Sequence, residues 1–154
     1  MEEKENTEDR SLCISKNLLA RVEQVWEVWT NPAKIPNWWG PDGFTTTIHK
    51  MEIQKGGEWT LTLHAPDGTN YPNRSIFREI IPLEKIAFEH FNPHFFTTVL
   101  FTALGEETRM VWTMVFDHVE IYETVVKAHR ADEGLRQNVE KLEMYLSEIK
   151  VKDN

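Results

Sequence analysis

The stretch Gly134-Leu-Arg-Gln-Asn-Val-Glu-Lys-Leu-Glu-Met-Tyr-Leu-Ser-Glu-Ile149 places Leu135, Val139, Leu142, Leu146 and Ile149 four, three, four and three residues apart. Residues at that spacing share one face of a helix, so the segment carries a continuous apolar stripe. A stripe needs a cover, and the chain before it supplies one. Between residues 45 and 116 the apolar period is two. In residues 58–64, Trp59, Leu61 and Leu63 alternate with Glu58, Thr60 and Thr62, the pattern of a half-buried strand. Gly56-Gly57, Pro66-Asp67-Gly68 and Gly105-Glu106-Glu107 punctuate the alternation as turns. Strands are predicted over 45–53, 58–64, 73–80, 85–91, 96–103 and 109–116, and links of hairpin length imply antiparallel pairing.

Working outward, residues 11–18 read as a further short strand. Val22, Val25, Trp26 and Trp29 then mark one face of a helix over 19–29. Thr30-Asn31-Pro32 ends it, because proline disfavours helix in the residue before it. Pro32 opens a second, short helix that stops near Gly40-Pro41. After the strands, Tyr122, Val125, Val126 and His129 begin a helical stretch that runs to residue 150. Unbroken, a helix of about 30 residues would be ~45 Å long, so a break is expected near Asp132. The order predicts an α+β domain of helix-grip type: a curved antiparallel sheet of six to seven strands around a long C-terminal helix. A twisted sheet closes on such a helix better at one end than at the other, which leaves an apolar pocket between them. Residues 1–9 read as a disordered acidic tail and residues 10–150 as one domain.

The 154 residues suit a single domain, and 40% apolar with 27% charged residues is ordinary globular composition. A net charge of −8 repels phosphate backbones and anionic lipid, so neither nucleic acid nor membrane is expected as a partner. The single cysteine, Cys13, makes an internal disulfide impossible and fits a reducing cytoplasm. The start of the chain is acidic without an apolar core, unlike a signal peptide.

Five segments in order resemble a known pattern. Trp26-Glu-Val-Trp-Thr-Asn-Pro-Ala-Lys-Ile-Pro-Asn-Trp-Trp-Gly40 resembles a first helix ending in a proline-spaced aromatic pair and glycine. Gly56-Gly-Glu-Trp59, Ala65-Pro-Asp-Gly68 and Ile80-Ile-Pro-Leu-Glu-Lys-Ile86 resemble its turns, and residues 133–146 resemble its closing helix, with Leu135 where a Trp is frequent. Together they resemble the SRPBCC (START-like) superfamily, and within it the family named after the activator of the heat-shock-protein-90 ATPase. The resemblance implies a helix-grip fold. It also implies three candidate activities: binding of a small hydrophobic or amphipathic ligand, a co-chaperone-like interaction with a chaperone or other protein, or an enzyme acting on a cyclic or polyketide-like substrate.

The chemistry-bearing residues narrow these. No nucleophile elbow frames a serine, and Gly56-Gly57 lacks the Lys-Ser/Thr sequel of a phosphate cradle. His90 and His94 have ligand-like spacing, but Pro93 and the strand context spoil a helical pair, so neither a metal nor another cofactor is expected. Six Trp and eight Phe supply pocket walls. Adjacent Trp38 and Trp39 cannot face one way, so one packs in the core and the other stands by the opening. By strand parity the expected liners are Trp39, Met51, Trp59, Phe88, Phe101 and Trp112. His49, His90 and His129 are the polar groups expected to reach inward. Ligand binding without catalysis is the favoured function, and a homodimer stays open.

Overall fold

The computed structural model describes residues 7–128 and 130–152. Seven strands form one antiparallel sheet: β1 (Ser11–Leu18), β2 (Thr45–Met51), β3 (Glu58–His64), β4 (Asn70–Ile81), β5 (Lys85–Phe91), β6 (Phe95–Leu104) and β7 (Glu107–Phe116). Their order is β1-β7-β6-β5-β4-β3-β2, so β2 to β7 are a meander of hairpins and β1 adds to its last strand. Alternation decides which side is buried. In β5, Ile86, Phe88 and His90 are buried on the concave face, while Lys85, Ala87, Glu89 and Phe91 face outward.

Helices cover the concave side. The helix α1 (Val22–Thr30) buries Val22, Val25, Val28 and Trp29, with Trp26 half-buried beside them. The second short helix expected after Pro32 is instead a turn and a single 3-10 turn, Ile35–Asn37. With prolines at 32 and 36 the segment lacks two amide donors, too few residues apart for an α-helix to propagate. Its product is the placement of Trp38, whose indole Nε1 donates to the Val28 carbonyl at 3.0 Å.

At the C-terminus, α2 (Val119–Tyr122) runs into a wider π-type turn, Glu123–Ala128, and the long α3 is Ala131–Lys152. The break falls at Arg130, with φ of 55°, two residues before the expected position. The stripe faces the sheet: Leu135, Val139, Leu142 and Leu146 are buried and Ile149 packs on the same cluster. Of the expected tail, residues 1–6 lie outside the described residues, and Glu8–Arg10 form a 3-10 turn held by Arg10 Nη1 donating to the Phe116 carbonyl at 2.5 Å. No helix among the described residues is long and apolar enough to cross a membrane.

Candidate ligand-binding cavity

Part of the concave face is packed beneath α1, and part of it faces a cavity. Under α1, the inward residues Ile86, Val99, Phe101 and Met110 join Trp29 in a closed cluster. Further along the same strands the inward residues look into a cavity of about 280 Å³ instead. Phe88 and His90 on β5, Thr97 on β6, and Trp112 on β7 form its floor, and Leu135 and Asn138 of α3 form its roof. Trp59 and Ser75 close the side toward β3 and β4, while Trp39 and Pro41 stand on the loop after the 3-10 turn.

The walls are chiefly aromatic. Trp39 stacks on Trp112 with ring centres 5.5 Å apart and planes 21° apart. Trp59 meets Trp39 at 4.9 Å and Phe88 edge-on at 5.2 Å. Behind them Trp29 touches both Trp38 at 4.8 Å and Trp112 at 4.9 Å, tying the wall to the core. Offset and edge-to-face geometries of this kind fix the rings beyond what area burial alone gives.

The helix holds the loop that carries Trp39. Asn138 Nδ2 donates to the Trp38 carbonyl at 2.8 Å, and its Oδ1 accepts from the Gly40 amide at 3.2 Å. Gln137 Oε1 accepts from the Asp42 amide at 3.0 Å, and Lys141 Nζ donates to the Gly40 carbonyl at 3.1 Å. One face of α3 therefore both roofs the cavity and sets its aromatic edge. Asn138 is not among the liners expected from the sequence. Its signal is a polar residue within the apolar stripe, next to Val139 and four before Leu142.

Among the described residues lining the cavity, His90 is the ionisable one. Burial pushes its imidazole below the ordinary range, with the Pro93 carbonyl acting against that and His94 adding to it. Its Nδ1 lies 2.8 Å from the Pro93 carbonyl, which can only accept, so Nδ1 carries the proton. Nε2 lies 2.6 Å from the Asn73 amide oxygen as placed. The Asn73 carboxamide is held in that orientation by its Nδ2, which donates to the Tyr71 carbonyl at 3.0 Å. Both ring nitrogens are thereby engaged, and Phe95 stacks on the ring at 4.4 Å.

Trp39, Trp59, Phe88, His90 and Trp112 thus come together around one cavity. The other expected liners do not. His49 is exposed on the outer face, with Nε2 at 2.8 Å from the Thr62 hydroxyl. A bulge between Ile48 and Lys50 inserts one residue there and reverses the parity counted from Met51. Met51 pairs with Trp59 and packs on the buried cluster, and the larger indole supplies the wall at that level. Phe101 faces inward but on the filled part, against Trp26 at 5.8 Å and Trp29 at 6.0 Å. His129 lies outside the described residues. Among the described residues no group of three or more His, Cys, Asp and Glu is placed to hold a metal.

A curved antiparallel sheet, a gripping C-terminal helix and an aromatic cavity between them define a protein of the SRPBCC class. The chain belongs to the family described as Activator of Hsp90 ATPase homolog 1-like protein, whose model matches residues 19–147. A solved protein from Arthrobacter aurescens is 25% identical with a TM-score of 0.86, over 94% of this chain and 90% of that one. A protein from Nitrosomonas europaea has the same fold at 17% identity and a TM-score of 0.83, over 94% and 98% of the two chains. An AHSA1-like protein from Aeromonas hydrophila is similar at 17% identity with a TM-score of 0.73, over 90% and 94%. None of the curated proteins matches the chain.

Proposed function

We propose that the protein binds a small apolar or amphipathic molecule in the cavity between the sheet and α3, without transforming it. The cavity itself carries this reading: about 280 Å³ is held open inside walls of Trp39, Trp59, Phe88 and Trp112. The pocket is open to solvent on one side, so a small molecule has a way in, and its lining is chiefly apolar. Most of its wall offers water nothing to bond. Its volume sits near the lower edge of the roughly 300–1,000 Å³ common for ligand pockets, which favours compact ligands over long acyl chains. Catalysis is the weaker reading because His90, the one imidazole among the described residues lining the cavity, has both ring nitrogens within hydrogen-bond distance of an oxygen. The acidic surface and single cysteine support a cytoplasmic protein whose partner is neither nucleic acid nor membrane.

A thermal-shift screen of compact cyclic molecules against fatty acids and sterols tests the proposal. Compact binders should raise the melting temperature by mass action and quench tryptophan fluorescence. No shift with any compound, together with a native mass spectrum free of small adducts, would overturn it and leave the co-chaperone-like interaction as the reading to pursue.

A further inference from the structure

A chain of polar contacts in the cavity wall begins and ends on acceptors. His90 Nδ1 donates to the Pro93 carbonyl at 2.8 Å, His90 Nε2 lies 2.6 Å from Asn73 Oδ1, and Asn73 Nδ2 donates to the Tyr71 carbonyl at 3.0 Å. The middle contact needs a hydrogen. An amide oxygen only accepts, and a neutral imidazole with its proton on Nδ1 presents a lone pair at Nε2. Turning the Asn73 carboxamide moves the mismatch to the Tyr71 carbonyl without removing it. The chain is complete only when the ring is an imidazolium, which donates from both nitrogens. His90, Asn73 and Pro93 all line the cavity, and Phe95, which lines it too, stacks on the imidazole at 4.4 Å.

The surroundings hold the second proton off. His90 is buried, and burial disfavours a cation there. On β4 its neighbours are Asn73 and its ladder partner Ser75, on the β5–β6 turn Pro93 and His94, and on β6 Phe95. Of these His94 titrates, and its charge acts against a second one on His90. The carboxylates of Glu89 and Asp117 are paired with His94 instead. Across the cavity, β7 presents Trp112 and α3 presents Leu135 and Asn138, which do not titrate. An anion inside the cavity would offset the cation, and the missing hydrogen bond would form as it entered.

We infer that the cavity takes a compact ring compound bearing a carboxylate, and that His90 picks up a proton at Nε2 as this anion binds. This rests on the cavity being a ligand site. The proton comes from solvent. The imidazolium donates to Pro93 and Asn73, and the anion meets it as a charge across the cavity.

Indane-1-carboxylate and its neutral analogue indane-1-carboxamide test this. An ordinary carboxylic acid is ionised above about pH 5, so the ligand itself does not titrate between pH 6 and pH 8. Calorimetry in phosphate and in Tris should show net proton uptake with the carboxylate and none with the amide. Because His90 must gain a proton, affinity for the carboxylate falls as pH rises. It should exceed that for the amide at pH 6 and drop about tenfold by pH 8, while the amide's affinity stays level. Long-range 1H–15N spectra of the histidine rings, in which His94 is followed separately, should show His90 Nε2 becoming protonated when the carboxylate binds. His90→Gln should remove the proton uptake and the pH slope while the amide still binds. If that variant does not fold, the ring spectra of the parent protein decide alone. Carboxylate binding without proton uptake, uptake with the His90 ring still neutral, or an unchanged pH slope in folded His90→Gln overturns the inference while leaving the cavity as a ligand site. Failure of both probes overturns it as well, and failure of the entire thermal-shift screen removes the cavity reading beneath it.

Discussion

His94 stands on the turn between β5 and β6 with a carboxylate on either side. Its Nε2 lies 2.5 Å from Glu89 and its Nδ1 lies 3.1 Å from Asp117, and Arg78 donates to Glu89 at 2.6 Å from the far side. The Glu89 hydrogen bond, helped by Asp117 and opposed by partial burial, raises His94 above its ordinary 6.5. The same bond to His94, with Arg78, lowers Glu89 below its ordinary 4.5. A raised histidine stabilises fully below its unfolded value and loses that contribution as pH rises through its folded value. A lowered carboxylate stabilises above its unfolded value and loses the contribution as pH falls through its folded value. The cluster therefore contributes most between about pH 4.5 and 6.5. Glu89→Gln should lower the melting temperature most near pH 5.5 and least near pH 8.5, and a difference that stays constant with pH would count against this pairing. Neither Glu89 nor Asp117 is visible as His94's partner in the sequence, because register across β5 to β7 brings them together. The same limit explains His49: parity counting assumes an unbroken ladder, and a bulge leaves no mark in composition.

At the scale of elements, the glycine pair in the β2–β3 turn explains one motif in physical terms. Gly56 has φ of 83°, a conformation that costs an L side chain roughly 1–2 kcal/mol. A Cβ there would meet nothing, whereas a Cβ on Gly57 would run into the Glu52 carbonyl. The pair also docks the turn onto β4, since the Gly56 amide donates to the Phe77 carbonyl at 2.7 Å and the Phe77 amide to the Gly57 carbonyl at 2.9 Å. Gly57→Ala should thus cost more stability than Gly56→Ala in denaturant titrations, and the reverse order would show that backbone strain outweighs the clash. On α3, Leu142 is fully buried at the centre of the stripe. Leu142→Ala should cost about 2–5 kcal/mol, and a loss under 1 kcal/mol in urea would mean that the helix does not pack as described. Elements were legible because their periods differ: the stripe of α3 and the β3 and β5 spans can be read from apolar spacing alone. Pro32 and Pro36 replace a helix with a turn after residue 30 by removing two amide donors, which apolar spacing does not register. The terminal extensions of β4 and β6 depend on hairpin register, which periodicity does not contain.

For the molecule as a whole, the decisive feature is that one concave face is divided between a filled part and a hollow part. Inward parity identified candidates for both without separating them, which is why Phe101 and Trp112, both inward, have different surroundings. What separates them is where α1 ends and how far Trp39 reaches from a loop pinned by Asn138. The roof residue Leu135 offers a test of the hollow part. It is buried, lines the cavity, and stands where the family resemblance has a larger ring in many members. Leu135→Phe should project added volume into the pocket that Leu135 lines, so it adds packing without displacing core atoms. Cavity filling of this kind commonly yields about 0.5–2 kcal/mol, which at this chain length corresponds to a melting temperature higher by roughly 1–8 °C. The same volume is then denied to a ligand, and a compact binder from the thermal-shift screen should bind at least tenfold more weakly than to the parent protein. The two effects are coupled through one space: a variant more stable when free and poorer at binding places the ligand beneath α3. Unchanged affinity in a folded Leu135→Phe protein would place it elsewhere. A lower melting temperature with unchanged affinity would show that the roof is already in firm contact with the floor and that the void does not reach Leu135.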